Sequence, residues 1–156
     1  MPYRSPSGWR REWPDTMGRT LLLRLAYEGT RFSGWQFQPG RRTVQGTLAE
    51  AITAVSGETV LPKGSSRTDA GVHAVDQLVG FATAKDYAAD VWRRALNAHL
   101  PEDVVVHFAR EAPAGFDPVA AAVGKRYRYR IHDAADRPVL ARKFVWRWKS
   151  PLDVAA

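Results

Sequence analysis

From Thr20 onward the hydrophobic residues switch repeatedly between the two-residue period of a strand and the longer period of a helix. The order of those switches constrains the fold more than any other feature of the chain. Leu21, Leu23, Leu25 and Tyr27 alternate with positions that include Arg24 and Glu28, the pattern of a strand with one buried face. After the loop EGTRFSGWQFQPGRR, Val44, Leu48, Ala51, Ile52 and Val55 recur at steps of four, three, one and three. They form one helical stripe, which Thr43 is placed to cap and Gly57 to end. A strand is expected around Thr59 to Lys63, leading into the turn RTDAGVH, and another from Gln77 to Thr83. Ala88, Val91, Trp92, Ala95 and Leu96 mark a second amphipathic helix that cannot continue through Pro101, and Val104 to Phe108 reads as the next strand. The order β-α-β-β-α-β predicts an α+β fold of the ferredoxin-like, split βαβ kind, with both helices on one face of an antiparallel sheet.

A chain of 156 residues with 45% hydrophobic content is of single-domain size and can bury a core. Residues 1–18 contain three prolines and no period, so they are expected to form a loose tail. No apolar run is long enough to cross a bilayer and the first residues lack a signal-peptide segment, which points to the cytoplasm. The absence of cysteine excludes disulfides, a thiolate nucleophile and a zinc knuckle. His73, His99, His107 and His132 share no ligand-like spacing, so no metal is expected.

The net charge of +7 is concentrated at one end. Residues 1–118 carry 14 Lys and Arg against 13 Asp and Glu, whereas residues 119–156 carry 9 against 3. A basic surface of this kind attracts polyanions, and a phosphate backbone is the commonest such partner in the cytoplasm. Within it lies KRYRYRI, where Arg126, Arg128 and Arg130 alternate with Tyr127, Tyr129 and Ile131. As a strand it would present guanidinium groups for phosphates on one face and rings for stacking on the other. An ordinary strand with solvated arginines and core tyrosines has the same pattern.

In SSRTDAGVHAVDQL, Arg67 and Asp69 stand two apart and Ala70-Gly71 follow at once. Alone, such a string is an ordinary surface turn, since Asp bonds its own backbone and Gly supplies positive φ. Its place between the two middle strands, at a sheet edge, is where a rigid base can present a reactive group.

Taken in order, LAYEGTRFSGWQFQ, TVQGTLAEAI, SSRTDAGVHAVDQLVGF, LNAHLPEDVVV, KRYRYRI and SPLDVAA resemble the tRNA pseudouridine synthases of the TruA type, from about Thr20 to the end. The resemblance implies one half of the pseudouridine synthase fold. It matches Asp69 to the catalytic aspartate, Arg67 to the arginine beside it and Tyr127 to the active-site tyrosine. It implies isomerisation of uridine to pseudouridine in the anticodon arm of tRNA, with no cofactor because no redox change occurs. Asp69 then acts either as a nucleophile at C1′ or as a base at C2′; Arg67, if paired with it, favours its ionised form, and its other role is to fill the space left by an extruded base. Trp35 and Gln36 fall in a loop placed near RNA, although a loop tryptophan is as often a packing plug. His73 is matched either to an RNA phosphate or to a structural hydrogen bond, and Gln77 to support of the turn.

This sequence departs from the family pattern at Ser66 and Asp76, where glycine is usual, and at Val119, where arginine is usual. Family members are longer and carry a second α/β half. Residues 19–150 therefore read as the catalytic-aspartate half and 151–156 as the start of the other, with a homodimer or association with the missing half expected. Two alternatives stand beside this reading: a non-catalytic RNA-binding module on the same scaffold, and an isomerase of free uridine nucleotides.

Overall fold

In a computed structural model, which describes residues 18–113 and 115–153, the alternating segment forms strand β1 (Arg19–Tyr27). It is followed by α1 (Val44–Ser56), β2 (Lys63–Gly64), β3 (Ala74–Thr83), α2 (Ala89–His99) and β4 (Val104–Ala112), the order the hydrophobic periods predict. The four strands make one sheet in the order β2-β3-β1-β4, and every neighbouring pair is antiparallel. The tail expected over residues 1–18 lies, apart from Gly18, outside the described residues, as do 154–156 of the closing segment.

The two-residue period of β1 places Leu21, Leu23, Leu25 and Tyr27 on one side of the sheet. There they share a core with Val79 and Phe81 of β3, Val104 and Val106 of β4, Val44, Leu48 and Ile52 of α1, and Trp92 and Leu96 of α2. Both helices therefore cover the same face, as expected. The Phe81 and Trp92 rings meet edge to face at 5.2 Å, which locks α2 onto the sheet. The Thr43 hydroxyl accepts from the Gly46 N–H at 3.2 Å, and α1 stops at Gly57 in the left-handed region with φ 73°.

Several boundaries differ from the sequence expectation. β2 begins at Lys63 and not at Thr59, because Pro62 has no N–H for a ladder and its carbonyl is taken at 2.8 Å by the Gln45 side chain. β3 reaches back to Ala74 and β4 on to Ala112, since each pairs along the length of β1, Ala74 with Tyr27 and Ala112 with Thr20. Val91 lies outside the buried stripe of α2, which Trp92 and Leu96 carry instead.

β4 and β2 are opposite edges of the sheet. An ion pair between Lys63 of β2 and Asp117 nevertheless joins them, so the segment leaving β4 crosses the sheet. It crosses on the face away from the helices, where Thr20 and Leu22 are buried.

A second compact unit begins at Val123. In it β5 (Ile131–His132) and β6 (Trp146–Arg147) pair in parallel. The strand expected for KRYRYRI is confined to Ile131: residues 126–130 join no ladder, and their side chains are all exposed. The alternation of arginine and tyrosine is thus not converted into two faces of a sheet, because no neighbouring strand among the described residues fixes it.

The loop from β1 to α1 is pinned at the start of β4. Asp103 is buried, receives two 2.8 Å hydrogen bonds from Arg42, and its carbonyl accepts from the Glu28 N–H at 2.9 Å. The Arg42 guanidinium also lies 4.0 Å over the Phe32 ring. The hydrogen bonds from Arg42 hold the Asp103 carboxyl below the usual carboxylate range, against the opposing effect of burial. A depressed folded value stabilises the protein above the unfolded pKa, and that stability is lost as pH falls through the folded value. Asp103→Asn is expected to cost about 2 kcal/mol at neutral pH. It should also flatten the loss of stability that the parent shows below about pH 4, measured by urea unfolding across a pH series.

Candidate active site

The turn 65–73 joins β2 to β3 at the end of the sheet where β1 finishes, since Tyr27 stands opposite both Ala74 and Val104. A turn of this length has no ladder of its own, so its backbone groups must find partners elsewhere. Ser65 N–H donates to the Leu78 carbonyl at 2.8 Å, and the buried Gln77 side chain donates to the Ser66 carbonyl. The Tyr27 and Thr68 hydroxyls bond at 2.8 Å, Trp35 N–H donates to the Thr68 carbonyl at 2.9 Å, and Gly71 N–H donates to the Phe32 carbonyl at 3.2 Å. Gly29 N–H donates to Nδ1 of His73 at 3.0 Å, while within the turn Val72 N–H donates to the Asp69 carbonyl at 3.2 Å.

Two glycines allow this approach. A Cβ at Gly29 would come within 2.0 Å of the Val72 carbonyl oxygen, and one at Gly34, where φ is +90°, within 2.8 Å of the Thr68 oxygen. The backbone of the turn is thus gripped from β1, from the following loop and from β3, and its charged side chains are left exposed.

Arg67 and Asp69 are both exposed. Among the described residues neither side chain makes a hydrogen bond or ion pair, so Arg67 and Asp69 are not paired with each other. An exposed pair gains too little to hold two side chains together. What the arrangement offers is a carboxylate on a rigid backbone, with a guanidinium two residues away, open to a substrate brought from outside. A cavity of about 560 Å³ lies elsewhere, against α1 and the end of α2, lined by residues such as Phe37, Arg41, Glu50 and His99.

The other sequence-derived candidates are placed as follows. Trp35 is 2% exposed and part of the core, so its ring packs, tilted against Tyr27 at 6.4 Å, and its backbone N–H bonds the turn. Gln36 beside it is exposed. His73 makes a structural hydrogen bond, and Gln77 supports the turn. Tyr127, Arg126, Arg128 and Arg130 are exposed members of the second unit. Tyr27, Thr68, Glu28 and Gly29 were not singled out by sequence reasoning, because their roles arise from contacts distant in sequence.

The departures at Ser66 and Asp76 are accommodated. Ser66 offers its carbonyl to Gln77, and Asp76 accepts two hydrogen bonds from Arg24 at 2.7 and 2.5 Å across the helix-free face. Those bonds hold the Asp76 carboxyl below its ordinary range, and its charge is matched by Arg24. Val119 is exposed, its N–H held at 2.8 Å by the Asp117 carboxylate.

An α+β domain with a carboxylate presented on a clamped turn between its middle strands is the class these features define. A family model of tRNA pseudouridine synthase matches residues 25–118. Relatives named tRNA pseudouridine synthase A include one from Geobacillus sp. (strain WCH70), 40% identical over 90% of this chain and 57% of the relative. Another, from Geobacillus kaustophilus, is 46% identical over 82% of this chain and 50% of the relative, and one from Caldicellulosiruptor bescii is 42% identical over 88% and 57%. The chain belongs to the tRNA pseudouridine synthase family. It spans about half the length of these relatives.

Gly29→Ala should push its new Cβ into the Val72 carbonyl and displace the turn. The expected result is a loss of about 2 kcal/mol in denaturant unfolding, with amide shifts concentrated in residues 68–73. Gly124→Ala, whose Cβ meets nothing within 4 Å, should leave both unchanged.

Proposed function

We propose that this chain is the aspartate-bearing part of an enzyme that isomerises uridine to pseudouridine in the anticodon arm of tRNA. The observation that carries the reading is Asp69, held outward on a turn whose backbone is clamped at several points, in a member of this family. The bond from ribose C1′ to uracil N1 breaks, the base turns within the site, and C1′ joins C5. The C5 proton leaves to solvent and N1 gains one, so the atoms balance without a cofactor. Asp69 acts at the sugar, either attacking C1′ or taking a proton from C2′. Arg67 meets the RNA or fills the space left by the extruded base, and Tyr127 stacks on the detached uracil.

The tRNA is drawn by the basic residues from 119 onward, with Arg126, Arg128 and Arg130 on phosphates and Gln36 on the RNA near the turn. The open aspect of Asp69 favours a site completed by another surface, either a complementary half or a second copy. The cytoplasm is where this substrate is met. A second reading, an RNA-binding module without catalysis, is favoured by the exposed arginine series, which needs no completed cleft to bind phosphate.

The test is tritium release from tRNA labelled at uracil C5, with this chain alone and with the remaining half of a relative added. Turnover in either arrangement is expected, and Asp69→Asn should lower it roughly a thousandfold while leaving tRNA affinity unchanged. Absence of turnover in every arrangement, with tRNA binding retained, would establish the binding module instead. Arg128→Ala should flatten the salt dependence of tRNA binding by a slope of roughly 0.7 to 0.9.

A further inference from the structure

His73 closes the turn that carries Asp69, and the chemistry of its ring makes that closure depend on a proton. Its Nδ1 is 3.0 Å from the Gly29 N–H, a bond in which the ring is the acceptor. A neutral imidazole has one nitrogen that can accept, whereas an imidazolium has two N–H donors and none. The geometry therefore assigns the neutral ring its proton on Nε2 and forbids protonation of Nδ1 while the Gly29 bond is kept.

The same nitrogen has an alternative partner. Oε1 of Glu28 lies 3.8 Å from Nδ1, and that oxygen already accepts from the Thr30 N–H at 2.9 Å in capping the 3-10 turn Gly29–Arg31. Of the other charged groups on the surrounding elements, Arg31 pairs with Glu102 and Asp103, Asp103 with Arg42, and Asp76 with Arg24, with His107 acting on Asp76 through its charge, while Arg67 and Asp69 of the turn itself are exposed. Glu28 is a carboxylate facing His73, and as an acceptor it can take the N–H that a protonated Nδ1 would present, which the Gly29 N–H cannot.

We propose that His73 is a positioning residue that latches the Asp69 turn to the Gly29 turn when neutral, and on protonation exchanges Gly29 for the Glu28 carboxylate and loosens the latch. The path to Asp69 is short. Gly29 sits so close to the Val72 carbonyl that a methyl group would not fit, and Val72 N–H holds the Asp69 carbonyl. Loss of the Gly29 bond frees the side of the turn next to the reacting carboxylate. The effect on turnover rests on the function proposed above; the exchange of partners does not.

The decisive measurement follows the His73 ring nitrogens and the Gly29 amide by NMR in the ¹⁵N-labelled chain, between about pH 8 and pH 5. Expected are an Nε2–H tautomer at high pH and a Gly29 amide resonance that moves with the His73 titration. An Nδ1–H tautomer, or a Gly29 amide indifferent to that titration, would overturn the latch. His73→Asn offers a carbonyl oxygen in place of Nδ1 but cannot titrate, so its Gly29 amide should stay constant over the range. Glu28→Gln tests the exchange in an otherwise intact chain: the proton affinity of His73 should fall by a factor of about three or more. An unchanged midpoint would remove Glu28 from the mechanism. In the assembled enzyme, kcat should decline below the His73 midpoint in the parent, and less so in His73→Asn, with KM little altered. If no variant turns over, the functional reading fails and the NMR results still decide the latch.

Discussion

The middle of the turn 65–73 is held chiefly by main-chain hydrogen bonds supplied by the loop between β1 and α1. The turn leaves a two-residue strand, β2, and could not be held by that strand alone. Trp35 and Phe32 provide the backbone donor and acceptor, and they can do so because their own side chains are anchored in the core. Asp103 and Arg42 fasten the same loop from the opposite side. The position of Asp69 is therefore set by hydrophobic burial several residues away, transmitted through peptide groups with little freedom to move.

The parts of the fold that were legible in the sequence are those governed by local periodicity and local capping. The alternation of β1, the stripe of α1, its Thr43 cap and its Gly57 stop are properties of neighbouring residues, and the order of elements follows from them. The turn bearing Asp69 was legible for the same reason, as a glycine-containing connection between strands. What local reasoning left open was decided by partners far along the chain. Whether Trp35 faces RNA or the core depends on the sheet it packs against, and the link from Gly29 to His73 joins positions 44 apart. KRYRYRI shows the converse: a period of two predicts a strand only where a second strand accepts it. Whether Arg67 pairs with Asp69 was likewise not decided by their spacing; both side chains are exposed and unpaired.

Charge is handled differently in the two units. In the first, acidic and basic groups are matched across elements: Arg42 with Asp103, Arg24 with Asp76, Lys63 with Asp117. Among the described residues of the second, Arg126, Arg128 and Arg130 stand in sequence without such an ion pair, exposed together with tyrosine and tryptophan rings. One unit balances its charge internally, and the other carries a net positive surface.

The strand order also sets when this domain can be completed as it is made. β1 emerges first, but its partners are β3 and β4, and the ion pair from Arg19 to Glu111 spans 92 positions. An apolar strand with two unpaired edges must therefore wait for nearly the whole domain to be synthesised, and contacts so distant in sequence slow folding relative to local ones. During that interval α1 is the one neighbouring element available to cover the leucines of β1. The Thr43 cap and the Gly57 stop bias that segment toward a helix from local information, ahead of the packing against β1 that makes it stable.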